Sequence, residues 1–243
     1  MSFDISNFEN KICFIGYNKT ATTSIDCIFK KNAIKTSHNA KLSDLKKVQV
    51  ISDTGSTNNP KLKFNYEAAI KKYPGSICVL NTRSLEGWLI SRCKHYYWRG
   101  IYGRQSFGYP ITKNIVRGWI ESRNDYYQDL LHYFLKTPEK LLILDIDKPD
   151  WAEYMCNFFN IEHFDTWVNK SRNDGDYYTD GWRDKKYDEV INQEYLDLIK
   201  DTIYDVCYEL GVKDSTTNLL IPTLTPGYKK ISTNLKLIEN NFL

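Results

Sequence analysis

Several protein classes are excluded by what this sequence does not contain. None of its six cysteines forms a C-x-x-C pair, and no histidine follows them at finger-like spacing, so a zinc site is not expected. No apolar run reaches the roughly 18 residues a membrane-spanning helix needs. A large excess of one charge is also missing. The 33 basic and 30 acidic residues leave a net charge of +3, too balanced for a dedicated nucleic-acid binder but compatible with a local anion pocket. The opening residues are polar and acidic, with neither a basic nor an apolar stretch. The expectation is therefore a cytoplasmic chain without a signal peptide, its thiols reduced.

What remains is the composition of a globular protein: 243 residues, 42% hydrophobic and 26% charged. Aromatics are abundant, with 18 Tyr, 11 Phe and 6 Trp, and supply ample material for a core. The length suits one α/β domain over residues 1–243, ending in an irregular tail from about 213 that holds Pro222 and Pro226.

Short apolar runs alternate with amphipathic ones. Strands are expected at 11–16 (KICFIG), 33–37, 47–52 (KVQVIS), 76–81 (SICVLN) and 141–146 (LLILDI). Helices are expected at 22–32, 64–73, 85–97, 115–135, 151–159 and 187–210, with loops at 57–62, 99–110 and 166–182. His132 falls inside one of these helices, where packing is its expected role. This alternation predicts an α/β three-layer sandwich, a central parallel sheet of about five strands with helices on both faces. Ligands of such sheets bind beyond the carboxyl ends of the strands. Gly16–Thr20, Asp53–Gly55 and Thr82–Arg83 are therefore the segments to inspect.

The segment 16–24 reads GYNKTATTS and joins the first strand to the first helix. A helix start offers free N–H groups and a partial positive charge to a phosphate. Thr20, Thr22, Thr23 and Ser24 add hydroxyls, and Lys19 adds a cation. A helix cap alone needs only one such hydroxyl. A Walker A loop is excluded because Lys19 follows a single glycine by three residues. That disfavours an ATP or GTP hydrolase. After the fourth strand, Arg83 and Ser91 stand eight residues apart, a strand-end guanidinium and a hydroxyl about two helical turns on. Arg83 offers a planar fork suited to phosphate oxygens.

Lys19-Thr20-Ala21-Thr22-Thr23-Ser24 resembles the 5′-phosphosulfate loop of P-loop-type sulfotransferases, with Ala21 where that family usually has glycine. Arg83 and Ser91 resemble the family's 3′-phosphate element, although Ser84 and Leu85 replace its usual second and third residues. The stretch 141–169 resembles a family segment of strand, helix and late Asn. The likeness covers roughly residues 11–172 and is patchy between motifs. It implies a P-loop nucleotide-kinase-like sheet and sulfuryl transfer from 3′-phosphoadenosine 5′-phosphosulfate. The product would be adenosine 3′,5′-bisphosphate, the acceptor a small molecule, sugar or peptide, with no metal, nucleic acid or membrane involved. Lys19 would neutralise charge on the leaving phosphate, with Thr20 to Ser24 around it. Lys170 or Arg172 would close over the 3′-phosphate, unless they are merely a solvated charge run.

An acceptor hydroxyl needs a general base. Asp53, at the end of the third strand, is the first choice, with His38 and His95 as alternatives; an Asx-turn is the competing role for Asp53. His95 also fits a cleft-lining position. Aromatic residues 96–109 suit either an acceptor wall or a core-facing flap. Two other classes remain open: a nucleotide or nucleoside kinase, and a non-catalytic nucleotide-binding relative.

Overall fold

The computed structural model describes residues 3–18, 20–54, 64–102, 110–164 and 193–211. Among these residues five strands form one sheet: β1 (Ile12–Phe14), β2 (Thr36–His38), β3 (Val50–Ser52), β4 (Ile77–Thr82) and β5 (Leu141–Asp145). They lie in the order β2-β3-β1-β4-β5. Every pairing is parallel, with Ile12 opposite both Val50 and Ile77, and Cys78 opposite Leu141.

Six described helices cover the sheet: α1 (Thr22–Lys31), α2 (Tyr66–Lys72), α3 (Leu85–Tyr102), α4 (Lys113–Phe134), α5 (Trp151–Phe159) and α6 (Gln193–Glu209). The period-two alternation of strand side chains divides the core into two layers. Ile12, Phe14, Val79, Leu142 and Leu144 pack on α1 and α5. Their neighbours Cys13, Ile15, Cys78, Leu80, Leu141 and Ile143 pack on α2, α3, α4 and α6. Each fully buried Ile, Leu or Phe contributes about 1.5–3 kcal/mol, so both faces are driven apolar. The strands are buried on both sides and therefore read as continuous apolar runs.

The details depart from expectation where local backbone chemistry decides. β2 starts at Thr36 rather than at 33, because α1 closes in a left-handed turn first. Ala33 takes φ 57°, with its N–H donated to Lys30 O at 2.9 Å and that of Ile34 to Phe29 O at 3.1 Å. Helix α3 runs to Tyr102, five residues past the expected end, since Gly100 weakens a helix without stopping it. Helix α4 begins at Lys113, where the Thr112 hydroxyl accepts the Ile115 N–H at 3.4 Å. His132 is exposed on α4, so the packing role expected for it is not found. All six cysteines are free thiols, and Cys13 and Cys78 face each other across β1 and β4 in the buried core. No described helix is long and apolar enough to cross a membrane. The expectations for loops 57–62 and 166–182, residues 187–192 and the tail from 213 fall outside the described residues.

Candidate functional site

After β1 the chain turns to the α1 face, whereas after β3 and β4 it turns to the opposite face. The connections therefore diverge around the carboxyl end of β1, the place where ligands of open α/β sheets bind. The described residues of all three segments singled out from the sequence lie at strand ends on this edge.

The loop leaving β1 is held by Asn81, a fully buried residue near the end of β4. Its Oδ1 accepts the Gly16 N–H at 3.0 Å. Its Nδ2 donates to Thr20 O at 2.7 Å and to Thr20 Oγ1 at 2.6 Å. A side chain on Gly16 is impossible here, since a Cβ would lie 1.9 Å from Asn81 O. Thr20 donates its own hydroxyl to Tyr17 O. Thr20 is thus buried, with its hydroxyl engaged inside the loop.

Tyr17 turns inward. Its hydroxyl donates to Ser122 O at 2.8 Å, and burial pushes its pKa up to about 12. Asn18 faces helix α3: its carbonyl accepts Trp88 Nε1 at 3.1 Å and its Oδ1 accepts Arg92 Nη1 at 2.9 Å. Lys19 lies outside the described residues, between two neighbours fixed in this way. Ala21 adopts φ 61° and ψ 20°, the left-handed conformation in which a glycine is at ease. Among the described residues no side chain caps the start of α1, and no acidic residue occupies its first turn. Thr22 and Ser24 are buried there, and Thr23 is partly exposed.

Arg83 follows β4 and folds back over the start of α3. A Cβ on Gly87 would lie 2.9 Å from Arg83 Nη2, so the guanidinium occupies the space that glycine leaves. Gly87, Ser91 and His95 are spaced by four and share one helix face, which puts Arg83 and Ser91 on the same side of α3. Arg83 is not unopposed: its Nη2 lies 3.1 Å from Asp147 Oδ1, while Asp147 Oδ2 accepts the Ser84 N–H at 2.8 Å. Arg83 Nε is buried and has no hydrogen-bond partner among the described residues.

Beyond β3, on the other side of β1, two of the three candidate bases meet. His38 Nε2 lies 3.6 Å from Asp53 Oδ2, and His38 Nδ1 is 3.0 Å from Ser52 Oγ. A carboxylate beside Nε2 favours the proton on that nitrogen, which leaves Nδ1 to accept from the serine hydroxyl. Asp53 has φ 51°, a conformation that Asp adopts more readily than most residues. Thr54 ties this corner to β1 by donating to Phe14 O at 3.2 Å. His95 belongs to α3, the helix after β4. Arg172 and Lys170 lie outside the described residues.

Sequence reasoning missed Asn81 and Asp147. Asn81 left a signal, a polar residue closing the apolar run SICVLN, whereas Asp147 looked like any acidic residue after a strand. Among the described residues no group of three or more His, Cys, Asp or Glu side chains is arranged to hold a metal ion. No model of a known protein family matches the chain, and no curated protein matches it.

Proposed function

We propose that the chain is a sulfotransferase, moving a sulfuryl group from 3′-phosphoadenosine 5′-phosphosulfate to an acceptor hydroxyl or amine on a P-loop-type sheet. One observation carries this reading: Asn18 bonds to Trp88 and Arg92, so the loop after β1 and the helix that bears Ser91 and supports Arg83 are packed side by side. Two candidate anion-binding elements are thereby neighbours, which supports a reading that needs two anion pockets for one nucleoside. The reading also needs β3 beside β1, as in a nucleotide-kinase-type sheet, and the strand order has it.

In this mechanism the first turn of α1 and Lys19 receive the 5′-phosphosulfate, and Arg83 with Ser91 receives the 3′-phosphate. The acceptor oxygen attacks sulfur in line as the bond from sulfur to the phosphate oxygen breaks. Lys19 offsets the charge growing on that oxygen. The acceptor proton passes to the Asp53 corner. Transfer of labelled sulfate from the donor to a panel of sugars, phenols and peptides tests the proposal. Labelled product is expected with at least one class, and its loss in Lys19→Ala.

A second reading is favoured by Asp147. Its carboxylate already pairs with Arg83, which suits a structural ion pair in a nucleotide-binding relative with one phosphate site. Such a protein would bind a nucleoside 5′-phosphate as well as a 3′,5′-bisphosphate and would transfer no label.

A further inference from the structure

Behind the end of β4 lies a charge that the proposed reaction does not use. Arg123, on α4, is among the largest fully buried side chains of the protein. Its Nη2 donates to Arg83 O at 3.0 Å and reaches Thr82 Oγ1 at 3.4 Å. Tyr127 donates to the same Thr82 hydroxyl at 3.1 Å. The guanidinium carbon sits 4.7 Å from the Tyr127 ring centroid and 5.4 Å from that of Trp88. Among the described residues Arg123 Nη1 is buried without a hydrogen bond, and Arg123 forms no ion pair.

Arg92 presents a second buried guanidinium to the same indole, also at 5.4 Å, and lies 4.5 Å from the Trp119 centroid. Two cations thus share Trp88, one holding the loop after β1 and the other the end of β4. Ring faces offset only part of what it costs to take a cation out of water. An apolar side chain of similar volume is often equal or better for stability at such a position. The costly choice here lies directly behind the backbone of a proposed anion ligand.

We propose that Arg123 is a positioning residue: it supplies fixed positive charge behind the second anion site and anchors the strand end that carries Arg83. The inference rests on the bisphosphate reading above. The charge acts through protein rather than water, so it raises anion affinity without touching the anion. Arg123 also sets the direction of the peptide from which the Arg83 side chain leaves.

The test measures binding of adenosine 3′,5′-bisphosphate by calorimetry, with the thermal stability of each full-length variant. Arg123→Gln keeps an amide donor for Arg83 O and removes the charge; Arg123→Lys keeps the charge. The expected result is an affinity about tenfold lower for Arg123→Gln, at equal or higher melting temperature, and affinity close to wild type for Arg123→Lys. Wild-type affinity in Arg123→Gln overturns the inference while the bisphosphate reading stands. So does a matching loss in both variants, or a failure of both to fold, since either makes Arg123 a structural residue only. If the wild type does not bind the bisphosphate, both fall together.

Discussion

Asn81 fastens Thr20 to β4 through two hydrogen bonds from one amide nitrogen, while its amide oxygen takes the N–H of Gly16. One side chain therefore clamps both ends of the tight turn that precedes α1. The expected consequence is that the turn keeps its shape before any ligand arrives.

Asn81→Ala strands the Gly16 N–H and leaves Thr20 without its amide donor, both in the buried core. Loss of about 2–4 kcal/mol of stability is expected, read by urea denaturation. Asn81→Asp keeps the acceptor for Gly16 but sets a carboxylate against the Thr20 carbonyl, so it should not restore stability. Wild-type denaturation midpoints in both variants would show that the turn does not depend on this clamp.

Ala21 carries a left-handed backbone at the start of α1, as Ala33 does just past its end. Ala21→Gly and Ala33→Gly should each stabilise the protein by roughly 0.5–1 kcal/mol, because relief of the Cβ clash exceeds the added chain entropy. Only Ala21→Gly is expected to change nucleotide binding as well. Thermal melts with and without nucleotide separate the two effects, and destabilisation by Ala21→Gly would contradict the strain.

Gly87→Ala places a methyl where Arg83 Nη2 and Ser84 Oγ now lie, 2.9 and 2.8 Å from the new Cβ. Both are ends of movable side chains, so the fold should survive, and the helix should gain up to about 1 kcal/mol. Arg83 must move away. Bisphosphate affinity should then fall by about tenfold or more, while affinity for the 5′-monophosphate stays constant. Equal loss for both ligands would remove Arg83 from the second site.

His38 Nε2 and Asp53 Oδ2 stand 3.6 Å apart at the carboxyl ends of β2 and β3. Asp53→Asn and His38→Gln should each lower turnover by about 10²–10⁴-fold, with the double variant little worse than the weaker single one. Label-transfer rates across a range of pH check this. Unchanged turnover in Asp53→Asn would exclude Asp53 as the base.

The layers of this fold were legible because buried parallel strands must be apolar on both faces: KICFIG, SICVLN and LLILDI could scarcely be anything else. Boundaries were less so. The start of β2 depended on the positive φ of Ala33, which no side-chain pattern announces. Within the site, the loop after β1 stood out through its density of hydroxyls. Yet which hydroxyl is spent internally depends on Asn81, a residue 61 positions away from Thr20. The partners Asp53–His38 and Arg83–Asp147 were likewise hidden, because strand order alone decides which chain segments become neighbours.

The proposed function requires the protein to hold one nucleoside through phosphates at both of its ends. The most direct test is calorimetric titration with adenosine 3′,5′-bisphosphate, adenosine 5′-monophosphate and magnesium ATP. The bisphosphate should bind most tightly, by at least about tenfold over the monophosphate, since each charge-assisted contact to the second phosphate contributes more than 1 kcal/mol. Equal affinity for bisphosphate and monophosphate, or preference for magnesium ATP, would contradict the account.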